Sequence, residues 1–339
     1  MGTPGFGVQG TGYPAAGEWG FSLGWRYQES DRHFVGDEYQ EVRDELGNQV
    51  INHVNLADLT VRYQATKRIE LSLGVPFFMG TRSQSLRQNN VELERYQTAA
   101  RGVGDIFFTT RRWMFDPDVH PGGNLQLGVG VKIPSGQNNS TDTFRILSGN
   151  TVTNQIRTVD QSIQPGDGGF GILVDVTTFA AVAGGKLSVY GGAAYLSTPG
   201  EKSNVQTYRT APGEEVMSIA DQYLARGGVA FPMPKVANMT VSGGLRLEGV
   251  PVRDIIGGDT GFRRPGIAVS IEPAVNMIIK GKNGVSLAVP LALFPHRTVG
   301  ENIEFPLKIK GIDPAQRKTR AFALLDQLRL PRDYYGKSV

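Results

Sequence analysis

Residues Trp19-Gly-Phe-Ser-Leu-Gly-Trp-Arg-Tyr27 put five large apolar or aromatic side chains on one parity and Gly, Ser and Arg on the other. A period of two is the signature of a strand with two unlike faces. The same reading extends outward along the chain. Ile69, Leu71, Leu73, Val75, Phe77 and Met79 alternate with Glu70, Ser72 and Gly74. Leu125 to Ile133 alternates with Gln126, Gly128, Gly130 and Lys132. Further runs follow at 61–63, 187–195, 239–247, 267–271 and 285–293, with less regular ones at 103–115 and 170–179. About eleven segments of roughly ten residues precede Leu293, the length a tilted strand needs to cross a bilayer. A twelfth is expected at Glu304–Lys310, where Phe305, Leu307 and Ile309 alternate with Pro306 and two lysines.

The gaps between these runs carry a second signal, because they alternate in length. Gaps 28–53, 80–102, 134–168, 197–220 and 250–265 are long, whereas 65–68, 116–123, 183–186, 232–237 and 280–284 are short. An up-and-down antiparallel outer-membrane β-barrel has this arrangement, with short periplasmic turns and long outer loops. The expected fold is therefore an all-β transmembrane barrel of about twelve strands with a short C-terminal helix. Residues 1–17 would form a periplasmic segment, 18–310 the barrel and 311–339 a helical periplasmic tail. In the tail, Asp313-Pro314 opens a helix as N-cap and first residue, with Gln316 as capping-box partner. Its apolar stripe would be Phe322, Leu325 and Leu328. Pro76, Pro273, Pro290 and Pro306 fall inside strand patterns and predict bulges or strand ends there.

Composition narrows the function. Glycine accounts for 44 of 339 residues, about twice the usual ~7%. Basic residues number 35 and acidic 32, too even a balance to suggest a nucleic-acid partner. There is no cysteine, so disulfides, thiolate metal sites and Cys nucleophiles are excluded. The start, Met1-Gly-Thr-Pro-Gly, has no basic or apolar leader pattern. Phosphate-loop, nucleophile-elbow, zinc-protease and dinucleotide motifs are missing. His33, His53, His120 and His296 all fall in expected gaps. No enzymatic activity, cofactor or metal is expected.

The inward parity holds the candidate residues. Arg26, Asp58, Arg62, Glu70, Lys132, Arg226, Arg246, Glu248 and Glu272 are expected to line the lumen. There they either border a water-filled pore and set its selectivity or pair across the lumen and plug it. Trp19, Trp25, Tyr27 and Trp113 are expected in the membrane-interface girdles. Expected partners are outer-membrane lipid, a small-molecule solute and a protein bound through the C-terminal tail.

Several stretches resemble the outer-membrane proteins called the MetA-pathway of phenol degradation family. They are Gly102-Val-Gly-Asp105, Lys132-Ile-Pro-Ser-Gly136, Gly166-Asp-Gly-Gly-Phe-Gly171, Gly261-Phe-Arg-Arg-Pro-Gly266, Glu272-Pro273 and Val289-Pro-Leu-Ala-Leu293. With the flanking strands, the resemblance runs from Trp19 to Leu293. It implies a Gram-negative outer-membrane barrel that passes small solutes, aromatic or apolar ones among them. Residues 293–311 and the helix after them resemble ABC-transporter ATPases just downstream of their Q-loop. Lacking a phosphate loop, a signature motif and a Walker B acid, the chain is not expected to hydrolyse ATP. Two other readings compete with the channel. One is a structural barrel with a plugged lumen that binds a partner through loops or tail; the other is a soluble secreted all-β binding domain.

Overall fold

The computed structural model describes residues 13–35, 38–89, 91–233, 236, 238–280, 283–293, 299–309, 312–328 and 330–336. It is dominated by one large antiparallel sheet that runs up and down in chain order. Its strands are β1 (Trp19–Ser30), β4 (Ile51–Gln64), β5 (Ile69–Gln88), β6 (Val91–Val103), β7 (Ile106–Trp113), β8 (Gly123–Ile133), β11 (Gly171–Val182), β12 (Leu187–Ser197), β15 (Gln222–Pro232), β16 (Met239–Val250), β17 (Gly266–Ile271), β18 (Ala274–Lys280), β19 (Asn283–Ala288) and β20 (Leu291–Leu293). Three short hairpins stand outside it: β2 (Phe34–Val35) with β3 (Glu38–Tyr39), β9 (Thr141–Ser148) with β10 (Thr151–Thr158), and β13 (Lys202–Gln206) with β14 (Val216–Ser218). A short helix, α1 (Glu41–Glu45), lies between β3 and β4.

Period two fixes the register. In the β1–β4 ladder Gly20 faces Arg62, Gly24 faces Asp58, and Arg26 faces Leu56. In the first two pairs a glycine stands opposite a charged side chain on the inner face. A Cβ on Gly128 would lie 2.5 Å from an Asp175 carboxylate oxygen, so that glycine makes room for the acid. The outer face carries exposed Phe21, Leu23, Phe77, Leu127, Val129 and Leu245. An apolar band of that extent suits lipid rather than water.

Proline marks the places where a strand breaks. Pro76 lies in β5 opposite the gap between β6 and β7, where Gly104 donates its N–H to the Pro76 carbonyl at 2.8 Å. Pro273 separates β17 from β18, and Pro290 separates β19 from β20. A residue without an N–H is cheapest where the ladder already stops. Counting β6–β7, β17–β18 and β19–β20 each as one traverse, the sheet makes eleven passes. Among the described residues no ladder joins β1 to β19 or β20, so the seam lies between them.

The expected twelfth strand is a helix. Residues Val299–Ile309 form α2, and Lys310 lies outside the described residues. Ile303 and Leu307, four apart, present one helical face to Ala323 and Leu324 of α3 (Pro314–Gln327). Partner packing selects the 3.6 period over the equally readable period of two. α3 starts as the sequence predicts: the Asp313 carboxylate accepts from Ala315 N–H at 2.9 Å, with Pro314 first. Among the described residues no reciprocal bond from Gln316 closes a capping box. Leu325 is buried and Phe322 stacks on Tyr335 at 4.9 Å, but Leu328 is exposed and Ala321 takes its place inside.

Two expected loops are structured. The 80–102 gap is the outer end of the β5–β6 hairpin, in which Phe77 pairs with Val103 and Gln88 with Val91. At 20 residues and ~3.3 Å each, β5 is about twice the length a bilayer needs. His53 lies within β4 rather than a gap, and His296 falls outside the described residues. The 134–170 segment holds the β9–β10 hairpin and then turns inward.

Candidate functional site

The inward turn of 159–170 builds the site. Val159 and Ile163 are fully buried there, packed with Ala100, Phe78 and Phe144. Gln164 ties the turn down: Ser140 N–H donates to its side-chain oxygen at 3.0 Å, and its amide donates to the Val159 carbonyl at 3.1 Å. The segment then runs against the β6–β7 break. A Cβ on Gly136 would meet the backbone of Gly104 and Gly166 at 2.9 Å, so the close approach of these three chain segments needs glycine there.

At this contact lies a buried charge cluster. Lys132 is 2% exposed and pairs with both Asp105, at 3.6 Å, and Asp167. Asp105 also accepts from Gly136 N–H at 2.9 Å and Asp167 N–H at 3.2 Å. A second latch holds the outer loops together. The Arg264 guanidinium grips the Asp160 carboxylate at 2.9 and 2.7 Å, with Arg82 at 3.5 Å. Burial pushes the Asp160 pKa up, but Arg264 and Arg82 outweigh it and hold the carboxyl far below its usual range. Nearby, Arg263 makes a two-point contact with Asp254 at 2.7 and 2.9 Å.

All nine expected lumen residues lie on the inner face, and most are paired. Arg246 bonds Glu248 at 2.8 Å and Glu272 at 3.2 Å; Arg226 reaches the other Glu272 oxygen at 3.2 Å. Glu70 lies 3.6 Å from Arg111, and Arg62 reaches Ser22 at 3.4 Å. Sequence reading missed Arg111 and its buried partner Asp175, 3.0 Å away. The parity change in the 170–179 run hid the acid. It also missed Asp105, Asp160 and Asp167, although two of them stand inside quoted motifs.

The girdle residues divide. Trp19, Trp25 and Tyr27 project from the outer face, where Trp25 stacks on Tyr27 at 6.4 Å and Tyr27 bonds His53 at 2.9 Å. Trp113 corrects the expectation: it is 6% exposed and turned inside. There it meets Tyr13 edge-on at 5.0 Å and Phe179 at 6.1 Å. Tyr13, whose hydroxyl donates to the His120 carbonyl at 3.0 Å, closes an aromatic cluster around the indole.

Between latch and lumen charges lies a cavity of about 440 Å³. Val54, Leu56, Pro76, Phe78, Phe107 and Leu196 form an apolar wall; Arg26, Gln28, Asn52, Lys132, Asp167 and Arg264 form the polar one. The volume lies in the usual range for small-ligand sites, as does the mixture of apolar lining with a few polar groups. The chamber can hold one small solute by shape and polar contact. Among the described residues no group of His, Cys, Asp and Glu is placed to hold a metal.

The fold matches that of an outer membrane channel from Pseudomonas putida F1, known from its crystal structure. The match has a TM-score of 0.54 at 12% identity over 84% of this chain and 91% of that one. The barrel architecture expected from strand pattern and motifs is therefore the architecture found. BamA from Haemophilus ducreyi aligns with a TM-score of 0.31 and 10% identity over 82% of this chain and 57% of that one. No family model matches the chain. Two curated relatives match a short stretch: the spermidine/putrescine import ATP-binding protein of Nitrosomonas europaea, 49% identical over 41 residues, and that of Nitrosospira multiformis, 52% over 40. Each stretch is 12% of this chain and 11% of the relative.

Proposed function

We propose that the protein resides in the outer membrane of a Gram-negative bacterium and passes small solutes, aromatic and apolar ones included, through its lumen without covalent chemistry. The observation that carries this reading is the chamber of about 440 Å³ inside a barrel whose outer face is apolar and whose inner face is charged. Solute enters past the inward loop, rests against the apolar wall, and leaves along the paired charges. Those charges set ion preference, because a fixed carboxylate in a narrow lumen attracts cations and repels anions.

The test is single-channel conductance of the purified protein in planar bilayers. Stable stepwise currents are expected, and Glu272→Gln should shift selectivity toward anions, because Arg226 and Arg246 then lose their shared carboxylate. Clean insertion without current would favour the plugged scaffold, for which the extensive pairing of Glu272, Arg246 and Arg111 is the specific support. Monodisperse behaviour without detergent would overturn the membrane reading.

A further inference from the structure

The cations that line the chamber are not equivalent. Lys132 is held by Asp105 and Asp167, Arg264 by Asp160, and Arg263 by Asp254. Arg26 has no carboxylate within 4.0 Å and no hydrogen bond among the described residues; its Nε is buried without a partner, as is that of the paired Arg246. The acids that act on it are Glu248 and Asp58. Glu248 is already engaged by Arg246 at 2.8 Å. Of the four cations on this wall, Arg26 is the one with no carboxylate in contact, so its terminal donors are left to something that enters the cavity.

The surroundings define what that is. Leu56 is the cross-strand partner of Arg26, and Phe78 and Phe107 line the same space. Gln28 follows the arginine on the polar wall and Asn52 stands further along it, opposite Ser30; the Asn52 oxygen accepts from Arg82 at 3.3 Å, which leaves its amide hydrogens to donate. Lys132, with two carboxylates to one ammonium, makes the cluster around it acidic and repels an anionic head toward Arg26. We propose that the chamber is a binding site for amphipathic monoanions, an aromatic or short aliphatic carboxylate. The carboxylate would sit on the Arg26 fork and the apolar body against Leu56, Phe78 and Phe107. Arg suits this role because its planar donors match a carboxylate at two points. The inference deepens the channel reading and rests on it for the solute's route, but not for binding.

Equilibrium binding separates the two. Titration calorimetry on the detergent-solubilised full chain would use benzoate, benzyl alcohol and benzylamine, which share a ring and differ in charge. Benzoate is expected to bind more tightly than either by about tenfold or more, the worth of a charge-assisted pair. Arg26→Gln should remove that preference, and Arg26→Lys should keep part of it. Equal binding of the three by the native chain, or a preference for benzylamine, overturns the proposal whether or not the variants fold. Benzoate preference in a protein that inserts but carries no current would leave the site standing and overturn the channel. Normal currents with no benzoate preference would do the reverse.

Discussion

Lys132 shows what one residue does when its neighbours fix its charge. Its ammonium lies almost wholly out of water between Asp105 and Asp167. Burying a charge is tolerable only when the partners are close and hydrogen-bonded, and Asp105 meets that condition through the Gly136 and Asp167 N–H groups. Lys132→Met would leave two carboxylates facing each other with no cation between them. A loss on the order of 3–5 kcal/mol follows from removing one member of a buried pair. The expected readout is a lower temperature for the transition from folded to unfolded mobility on a detergent gel. Adding Asp167→Asn should recover part of that loss. Period two placed Lys132 on the inner face, as it did for Arg246 and Glu272. Its acids were not legible, because Asp105 and Asp167 stand at strand breaks where alternation assigns no face.

Among the elements, the 134–168 segment is the long gap that carries the most structure of its own. Its hairpin β9–β10 pairs Arg145 with Glu94 of β6 at 3.0 Å, and its second half descends into the barrel and is pinned by the Asp160 latch. Gap length marked this segment as long, but nothing in its composition says which half turns inward. That choice depends on Gly104, Gly136 and Gly166 meeting across three distant stretches. The latch has a definite pH dependence. Asp160 is held below its ordinary value when folded, so its contribution is complete above the unfolded carboxylate pKa of ~3.9 and fades as pH falls below that. Hydrogen exchange at 159–167, corrected for intrinsic rates, should therefore stay slow from neutral pH down to about 4. It should rise only in stronger acid. Asp160→Asn is expected to raise it at neutral pH, since the amide keeps the shape and loses the attraction to Arg264 and Arg82. Exchange in the variant as slow as in the native chain would show that Gln164 and Ile163, not the latch, hold the segment.

Over the whole molecule, eleven passes instead of twelve change where the chain emerges. The β17–β20 ladder pairs Val269 with Leu293 and Ile271 with Leu291, so the chain is heading toward the long-loop end when it leaves the sheet. A periplasmic tail required a strand at 304–310, and residues 304–309 belong to α2, which packs with α3. The alternation of Phe305, Leu307 and Ile309 was legible, but a seven-residue run fits a helix face as well as a strand, and only the packing of α2 against α3 decides between them. The tail is therefore expected on the outer side of the membrane. A chain without cysteine allows a clean test, because every introduced thiol is the only one. Gln316→Cys, exposed in the first turn of α3, should react with a membrane-impermeant maleimide on intact cells that carry the protein. Pro212→Cys in a long loop should react as well, and Lys186→Cys in a short turn should not until the cells are opened. If Gln316→Cys behaves like Lys186→Cys, the chain recrosses the membrane after Leu293, and the seam beside β1 is filled by that crossing.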